Sequence, residues 1–214
     1  MSSYLSIKSS PKDQRILAGI GAVIGWLALI LQLYLIILNR KLSVSETLVQ
    51  YFSYFTILTN LLTALCLAAI AGGKNVFFQR SGVQAAIAVY IVIVGIVYNL
   101  VLRRLWHPQG LQYLVDELLH TLIPGYYFMY WIFFSPKDGL RYKNTFLWLG
   151  YPFLYLIYLL IRGALTGLYP YPFIDETTLG YTITFRNAII LCGFFLVLSL
   201  MFVALSKALI NLKK

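Results

Sequence analysis

Six long apolar segments follow one another along the chain, separated by short polar connections. A helix needs about 20 apolar residues to cross the hydrocarbon core of a membrane. Each segment is long enough, and 60% of all residues are hydrophobic against 11% charged. The pattern predicts an all-α polytopic membrane protein, a single bundle of six transmembrane helices over residues 1–214. The predicted spans are about 15–38, 48–71, 82–102, 112–134, 144–164 and 186–207.

Basic residues indicate which side of the membrane each connection occupies. The side that carries both termini holds eleven Lys and Arg residues, among them Lys8, Lys74, Lys213 and Lys214, and the other side holds six. Cytoplasmic connections carry an excess of Lys and Arg, so we expect both termini in the cytoplasm. The net charge of +10 is spread in twos and threes between apolar spans, without the dense basic face that nucleic acid binding requires.

The longest connection, 165–185, carries the sequence Y-P-Y-P-F-I-D-E from Tyr169 to Glu176. Connections of this length inside a compact domain usually have a structure or function of their own. Two prolines among aromatic side chains favour a packed arrangement. We expect this connection to form a cap over the outer end of the bundle.

His120 lies at the start of a segment, Leu118 to Phe134, that is otherwise apolar and aromatic. Asp116 and Glu117 precede it on the same helix. Ionisable side chains are costly at membrane depth and usually line a cavity, a relay or a reactive site. Three of them within five residues make this the first candidate for a functional site.

The second span carries polar residues at the same depth as His120. Thr56 and His120 each lie about eight residues from the outer end of their spans, which is about 12 Å of helix. Ser53, Thr56, Asn60 and Thr63 are spaced by three, four and three residues, which places them on one helical face. The sequence therefore predicts a polar stripe facing His120.

Further polar residues fall in the same outer half of the bundle. Asn99 and Arg103 lie four residues apart at the end of the third span, Arg162 ends the fifth, Arg186 begins the sixth, and Asp175 belongs to the cap. The inner half is mostly aliphatic or aromatic. This distribution predicts a polar pocket covered by the cap.

Pro124 predicts a local irregularity at His120. Proline has no backbone N–H to donate to the residue four positions earlier, so the His120 carbonyl is left without its helical partner. Irregular backbone is tolerated at membrane depth only where protein or cavity water satisfies the freed groups. We therefore expect a kinked helix at this site.

The central polar residues also have structural interpretations. His120 can hold two helices together through a hydrogen bond. Thr56 can bond back to the carbonyl four residues earlier, as many membrane threonines do. Thr59 and Thr63 are alternatives to Thr56 as a reactive hydroxyl.

The flanking charged residues can be explained without a function as well. Asp116 and Glu117 can be first-turn acids that complement the helix dipole. Snorkelling anchors are the general explanation for the arginines Arg103, Arg104, Arg162 and Arg186.

A metal site is a further candidate because Glu117 and His120 form an E-x-x-H pair, the spacing found in di-iron bundles. Those sites need a second copy of the motif and further glutamates, which this chain lacks. The other histidine, His107, precedes Pro108 in a loop. We expect no metal and no cofactor.

Two motifs carry a family resemblance. His120, Thr121 and Pro124 lie in L-L-H-T-L-I-P, and Arg162-Gly163 is followed by Y-P-Y-P-F-I-D. This chain resembles the androgen-induced protein family and its bacterial six-helix relatives, whose animal members carry H-T-x-x-x-P and W-x-Y-P-F-L-[DE] segments at corresponding places. The resemblance spans most of the chain in helix order. Those proteins are membrane hydrolases that cleave fatty acid esters of hydroxy fatty acids with a threonine on the second helix and a histidine on the fourth.

The resemblance implies a nucleophile at Thr56, in Y-F-T-I-L-T-N, and a base at His120. The spacing from the threonine to Asn60 differs from the animal pattern, so Thr59 is the alternative counterpart. A lipid substrate and a location in the bacterial cytoplasmic membrane are implied in the same way.

The implied pair also makes chemical sense. A threonine hydroxyl becomes a useful nucleophile when an adjacent neutral histidine accepts its proton. Either carboxylate beside His120 is a candidate to orient the ring, and nearby amide or guanidinium groups are candidates to stabilise an oxyanion. The supporting or substrate-binding candidates are Asn60, Asn99, Arg103, Asp116, Glu117, Arg162 and Asp175. The leading hypothesis is a threonine-type lipid-ester hydrolase that opens toward the outer face.

The rival hypothesis is a transporter or lipid-binding bundle in which His120, Asp116 and Glu117 bind a solute or relay protons. Six spans without an internal repeat are not typical of inverted-repeat transporters. A purely structural partner protein is the third possibility.

Overall fold

The computed structural model of the chain describes residues 10–73 and 75–212, and the regular secondary structure of these residues is entirely helical. Lys8, Lys74, Lys213 and Lys214, on which part of the expected orientation rests, lie outside the described residues. The α-helices are α1 (Pro11–Leu38), α2 (Val44–Tyr51), α3 (Phe55–Gly72), α4 (Val76–Gln79), α5 (Ser81–Leu100), α6 (Gly110–Glu117), α7 (Ile123–Phe134), α8 (Thr145–Trp148), α9 (Gly150–Thr166) and α10 (Glu176–Asn211).

Five helical stretches in the described part of the chain are long and apolar enough to cross a membrane: Pro11–Leu38, Phe55–Gly72, Ser81–Arg104, Tyr142–Thr166 and Glu176–Asn211. Large apolar side chains cover the faces of these helices that point away from the bundle. On α1, for example, Val23, Leu27 and Ile30 are each more than half exposed. Contiguous apolar surface of this kind suits lipid better than water, which is consistent with an integral membrane protein.

Helix α1 begins with a capping box and packs closely against α3. The Ser10 hydroxyl accepts from the Asp13 N–H while the Asp13 carboxylate accepts from the Ser10 N–H, which satisfies two free donors at the helix start. Small residues then allow close approach of the two helices, as is common in membrane bundles. A Cβ atom on Gly25 would lie 3.1 Å from the Cβ of Ala64.

The second predicted span, 48–71, is wrong in its N-terminal part, because the chain forms two helices there, α2 and α3, with a break at residues 52–54. Tyrosines of α9 stabilise the break. The phenol of Tyr155 donates to the Ser53 carbonyl at 2.8 Å and accepts from the Phe55 N–H at 3.2 Å. Backbone groups that would be unpaired at the break are thereby satisfied.

The fourth predicted span is a continuous helical run divided into three parts. Helix α6 leads into a π-helical segment, Leu118–Leu122, and then into α7. Because the π segment divides the run, neither α6 nor α7 alone is long enough to cross a membrane.

The long connection predicted at 165–185 is shorter than expected. Helix α9 ends at Gly167 in the left-handed conformation, with φ 69°, and α10 begins at Glu176 with Asp175 as its N-cap. The predicted start at 186 missed this first part of α10 because its residues are polar. Gly180, with φ 72°, interrupts that part with a kink. The cap, defined as residues 168–175, includes a 3₁₀ turn at Pro172–Ile174.

Helix α5 lies at the centre of the bundle and packs against α3, α7 and α10. The residues from Ala85 to Ile91, in its N-terminal half, are almost completely buried. Its C-terminal end lies beside the π segment, so this end of α5 reaches the candidate site.

Candidate functional site

The helix is irregular at His120, as the position of Pro124 predicts. The π segment covers residues 118–122, so His120 lies at its centre. The His120 carbonyl accepts a hydrogen bond from the Asn99 side chain at 3.3 Å. Gly95 allows α5 to approach the π segment this closely, because a Cβ at Gly95 would lie 3.2 Å from the His120 carbonyl oxygen. Such π segments are frequent at functional sites.

The His120 imidazole is held by Asp116. Its Nδ1 lies 3.0 Å from the Asp116 backbone carbonyl and 3.3 Å from the Asp116 carboxylate. With two oxygen acceptors on that side, the proton belongs on Nδ1, and Nε2 keeps a free lone pair. The Asp116 carboxylate in turn accepts a hydrogen bond from the Tyr98 phenol. Tyr98, Asp116 and His120 thus form one connected unit.

The two neighbouring carboxylates have different partners. Glu117 forms an ion pair with Arg103, whose guanidinium also donates to the Thr121 hydroxyl at 3.2 Å. The structure therefore directs Asp116, but not Glu117, to the histidine ring.

Thr56 lies in the first turn of α3, rather than eight residues into a longer helix as expected. Its neighbour Tyr54 is the N-cap and makes no side-chain capping bond. Burial raises the pKa of the Tyr171 phenol in the cap. Tyr171 lines the same cavities as Thr56.

Asn60 connects Thr56 to the helix of His120. Its side-chain nitrogen donates to the Thr56 carbonyl at 2.8 Å and to the Leu119 carbonyl at 3.1 Å. Asn60 is completely buried, and its side-chain oxygen has no hydrogen-bond partner. One amide group thus holds the backbone at Thr56 next to the backbone that precedes His120.

The other polar residues of the predicted stripe are engaged within the bundle. Thr59 is completely buried and lies 3.2 Å from the Tyr151 phenol. Thr63 is also buried and donates to the Thr59 carbonyl at 2.8 Å. Ser53 lies before α3 and pairs with the Tyr158 phenol at 2.9 Å.

Two cavities meet at the site. The first, which we call the apolar chamber, has a volume of about 60 Å³ and is lined by α3, α5, α9, α10 and the cap. The second, which we call the vestibule, has a volume of about 660 Å³ and is bounded by the α1–α2 connection, α6 and the cap. The residues that line both cavities are Thr56, Tyr98, Leu102, His120 and Tyr171.

The structure does not bring every predicted site residue to these cavities. Asp116 lines the vestibule, whereas Asn99 and Arg103 line neither cavity. Arg162 donates to the Leu168 carbonyl at 2.9 Å, and Asp175 caps α10 through the Thr177 N–H. The last two side chains fix the ends of the cap.

Tyrosines are the functional residues that the sequence did not single out. Tyr151, Tyr155 and Tyr158 of α9 all present phenols to the region around the start of α3. Their spacing of four and three residues places them on one helical face, and this was the available signal. Tyr98 and Tyr171 had no comparable signal in the sequence.

The described residues contain no group of three or more His, Cys, Asp or Glu side chains that could hold a metal ion. The chain matches no protein-family model, no curated protein and no solved structure.

Proposed function

We propose that this protein is an integral membrane lipid-ester hydrolase in which Thr56 is the nucleophile and His120 the general base. The observation that carries the proposal is that both side chains line the same two cavities while Asp116 holds the Nδ1 side of the histidine. A hydroxyl, a histidine and a carboxylate in this order are the parts of a nucleophilic triad.

The proposed reaction begins with attack of the Thr56 Oγ on the ester carbonyl carbon, while Nε2 of His120 accepts the hydroxyl proton. The tetrahedral intermediate collapses, the C–O bond to the alcohol breaks, and the imidazolium returns its proton to the departing oxygen. Water then attacks the acyl-threonine with His120 again as base, which releases the fatty acid and restores the hydroxyl. The Asp116 carboxylate stabilises the imidazolium in both steps.

The start of α3 supplies a place for the developing oxyanion. Thr56 lies in the first turn of α3, where the positive end of the helix dipole favours negative charge. In the proposed reaction, the acyl oxygen of the ester accepts a hydrogen bond from the Thr56 N–H. The Thr56 N–H belongs to the same residue as the nucleophile, so the proposed oxyanion site does not require Asn99 or Arg103.

The surroundings favour Thr56 over Thr59 as the nucleophile. Thr59 is completely buried, bonded to Tyr151, and lines neither cavity. Thr56 is half-buried and faces both cavities.

The proposal extends to the membrane arrangement. We propose that the helical run Gly110–Phe134 is a sixth span and that both termini lie in the cytoplasm, which would place the site toward the outer face of a bacterial cytoplasmic membrane. The resemblance to the androgen-induced protein family supports fatty acid esters of hydroxy fatty acids, or related lipids, as substrates.

Ester turnover by the full-length protein in detergent tests the proposal. We expect the wild-type protein to hydrolyse long-chain p-nitrophenyl esters and Thr56→Ala and His120→Ala to lose this activity. Thr178→Ala, an exposed threonine of α10, is the control and should retain it. Unchanged turnover in both site variants would exclude the mechanism. Proton-coupled flux in liposomes without ester turnover would favour a transporter.

A further inference from the structure

The two cavities at the site differ in chemistry. Apart from the residues that contact the junction, the apolar chamber is lined by aliphatic and aromatic side chains. The vestibule is lined in addition by charged and amide side chains, among them Gln32, Asn39, Arg40, Lys41, Gln112 and Asp116. An amphiphilic ester placed across Thr56 would therefore meet an apolar environment on one side and a polar one on the other.

Four of the five polar side chains of the chamber also line the vestibule, namely Thr56, Tyr98, His120 and Tyr171. The Tyr98 ring stacks on His120, with centroids 3.9 Å apart. The Tyr155 phenol donates to the Ser53 carbonyl and accepts from the Phe55 N–H at the start of α3. The rest of the chamber offers no hydrogen bonds, so it suits a hydrocarbon chain and disfavours a polar head group.

An aromatic cluster closes the inner end of the chamber. The Phe195 ring of α10 lies 5.8 Å from Phe55 and 6.3 Å from Tyr90, and Tyr151 lies 4.8 Å from Tyr90, measured between ring centroids. Val94 of α5 is buried one helical turn inward from Tyr98, and both Val94 and Phe195 line the chamber. These two side chains therefore limit how far a chain can extend from the junction.

We propose that the apolar chamber binds the acyl chain of the ester, that Val94 and Phe195 set the chain length it accepts, and that the alcohol half of the substrate occupies the vestibule. This inference rests on the proposed hydrolase function, because it places the scissile carbonyl between Thr56 and His120. The Thr56 acyl intermediate would then keep its hydrocarbon chain in the chamber while the alcohol departs through the vestibule.

A chain-length profile tests the assignment. Turnover of short-, medium- and long-chain p-nitrophenyl esters is measured for the full-length protein in detergent. In Val94→Phe, we expect kcat/KM for the longest ester to fall roughly tenfold or more relative to the shortest, since even one methylene in an apolar pocket changes discrimination by that factor. In Phe195→Ala, the preference should move toward longer chains. Val197→Phe, on the exposed face of α10, is the matched control and should keep the wild-type profile.

A binding measurement separates this inference from the catalytic proposal. In the Thr56→Ala background, displacement of a fluorescent fatty acid should weaken for long-chain competitors when Val94→Phe is added, with short-chain competitors unaffected. Equal long-chain displacement with and without Val94→Phe, or an unchanged turnover profile in both chamber variants, would overturn the assignment. If Thr56→Ala alone retains full turnover, it is the hydrolase mechanism that fails.

Discussion

The imidazole of His120 lies flat against the ring of Tyr98, with centroids 3.9 Å apart and planes inclined by 15°. The Tyr98 phenol also donates to the Asp116 carboxylate that faces Nδ1 of the same imidazole. One tyrosine therefore restrains the ring plane and the carboxylate together. Restraint of this kind keeps a base in its productive orientation before substrate arrives.

Loss of the Asp116 charge should impair the base without disturbing the shape of the site. Asp116→Asn keeps the side-chain volume but can present an N–H to Nδ1 of His120, which favours the wrong tautomer. By analogy with triads of this type, we expect kcat to fall by roughly 10²- to 10⁴-fold. Glu117→Gln is the control, because Glu117 pairs with Arg103 instead. Equal losses in the two variants would argue against a specific role for Asp116.

Tyr98→Phe should separate the stacking contact from the hydrogen bond. The ring that packs on His120 remains, but the Asp116 carboxylate loses a donor. Hydrogen bonds to charged groups contribute about 1.5–3 kcal/mol, so we expect kcat to fall by about tenfold or more with little change in KM. Steady-state kinetics with one ester measures kcat and KM for the variant and the wild type. A large change in KM with constant kcat would instead place Tyr98 in substrate binding.

Gly95→Ala should damage the site through packing. The new Cβ would lie 3.1 Å from the Cβ of Pro124 and 3.2 Å from the His120 carbonyl. We expect a loss of about 1–3 kcal/mol in the free energy of unfolding, the usual cost of overpacking, together with reduced activity. Thermal unfolding in detergent measures the first effect.

Gly82→Ala on the same helix is the control for this substitution. No atom lies within 4 Å of the position that a Cβ would take there, and alanine is favoured over glycine in helices by roughly 0.5–1 kcal/mol. Gly82→Ala should therefore leave stability equal or slightly increased. If both variants melt alike, close packing at Gly95 is not what holds the π segment.

Gly163→Ala should displace the cap. A Cβ at Gly163 would collide with the Tyr169 ring, so the cap must move or α9 must shift. Because the cap also carries Tyr171, we expect ester turnover to fall and proteolysis within residues 168–175 to become faster. Gly193→Ala on α10, with open space around its Cβ, is the control. Wild-type proteolysis and turnover in Gly163→Ala would show that the cap does not depend on this contact.

The long apolar helices were predictable from sequence because hydrophobic length is a property of each segment by itself. The irregularity at His120 was predictable for a related reason, since the missing N–H of Pro124 acts within its own helix. The break before Thr56 was not predictable in this way. It depends on Tyr155, which lies 100 residues later and satisfies the Phe55 N–H through the fold.

The pairing of functional groups was predictable only in part. The residues flanking His120 indicated that a carboxylate could orient the ring, but sequence could not choose between Asp116 and Glu117. That choice depends on tertiary contacts from the end of α5 and the residues that follow it. Arg103 pairs with Glu117, and Tyr98 donates to Asp116. The tyrosines around Thr56 escaped notice because a phenol serves equally well in packing, at the membrane interface or in a hydrogen-bond network.

The most direct test of the account is to map the residue that reacts with a fluorophosphonate probe. The full-length protein is labelled in detergent, digested, and the modified peptide sequenced by mass spectrometry. We expect the adduct on Thr56, and we expect it to be absent from His120→Ala. An adduct on Thr59 or on any other residue, or no adduct in a preparation that hydrolyses esters, would contradict the account.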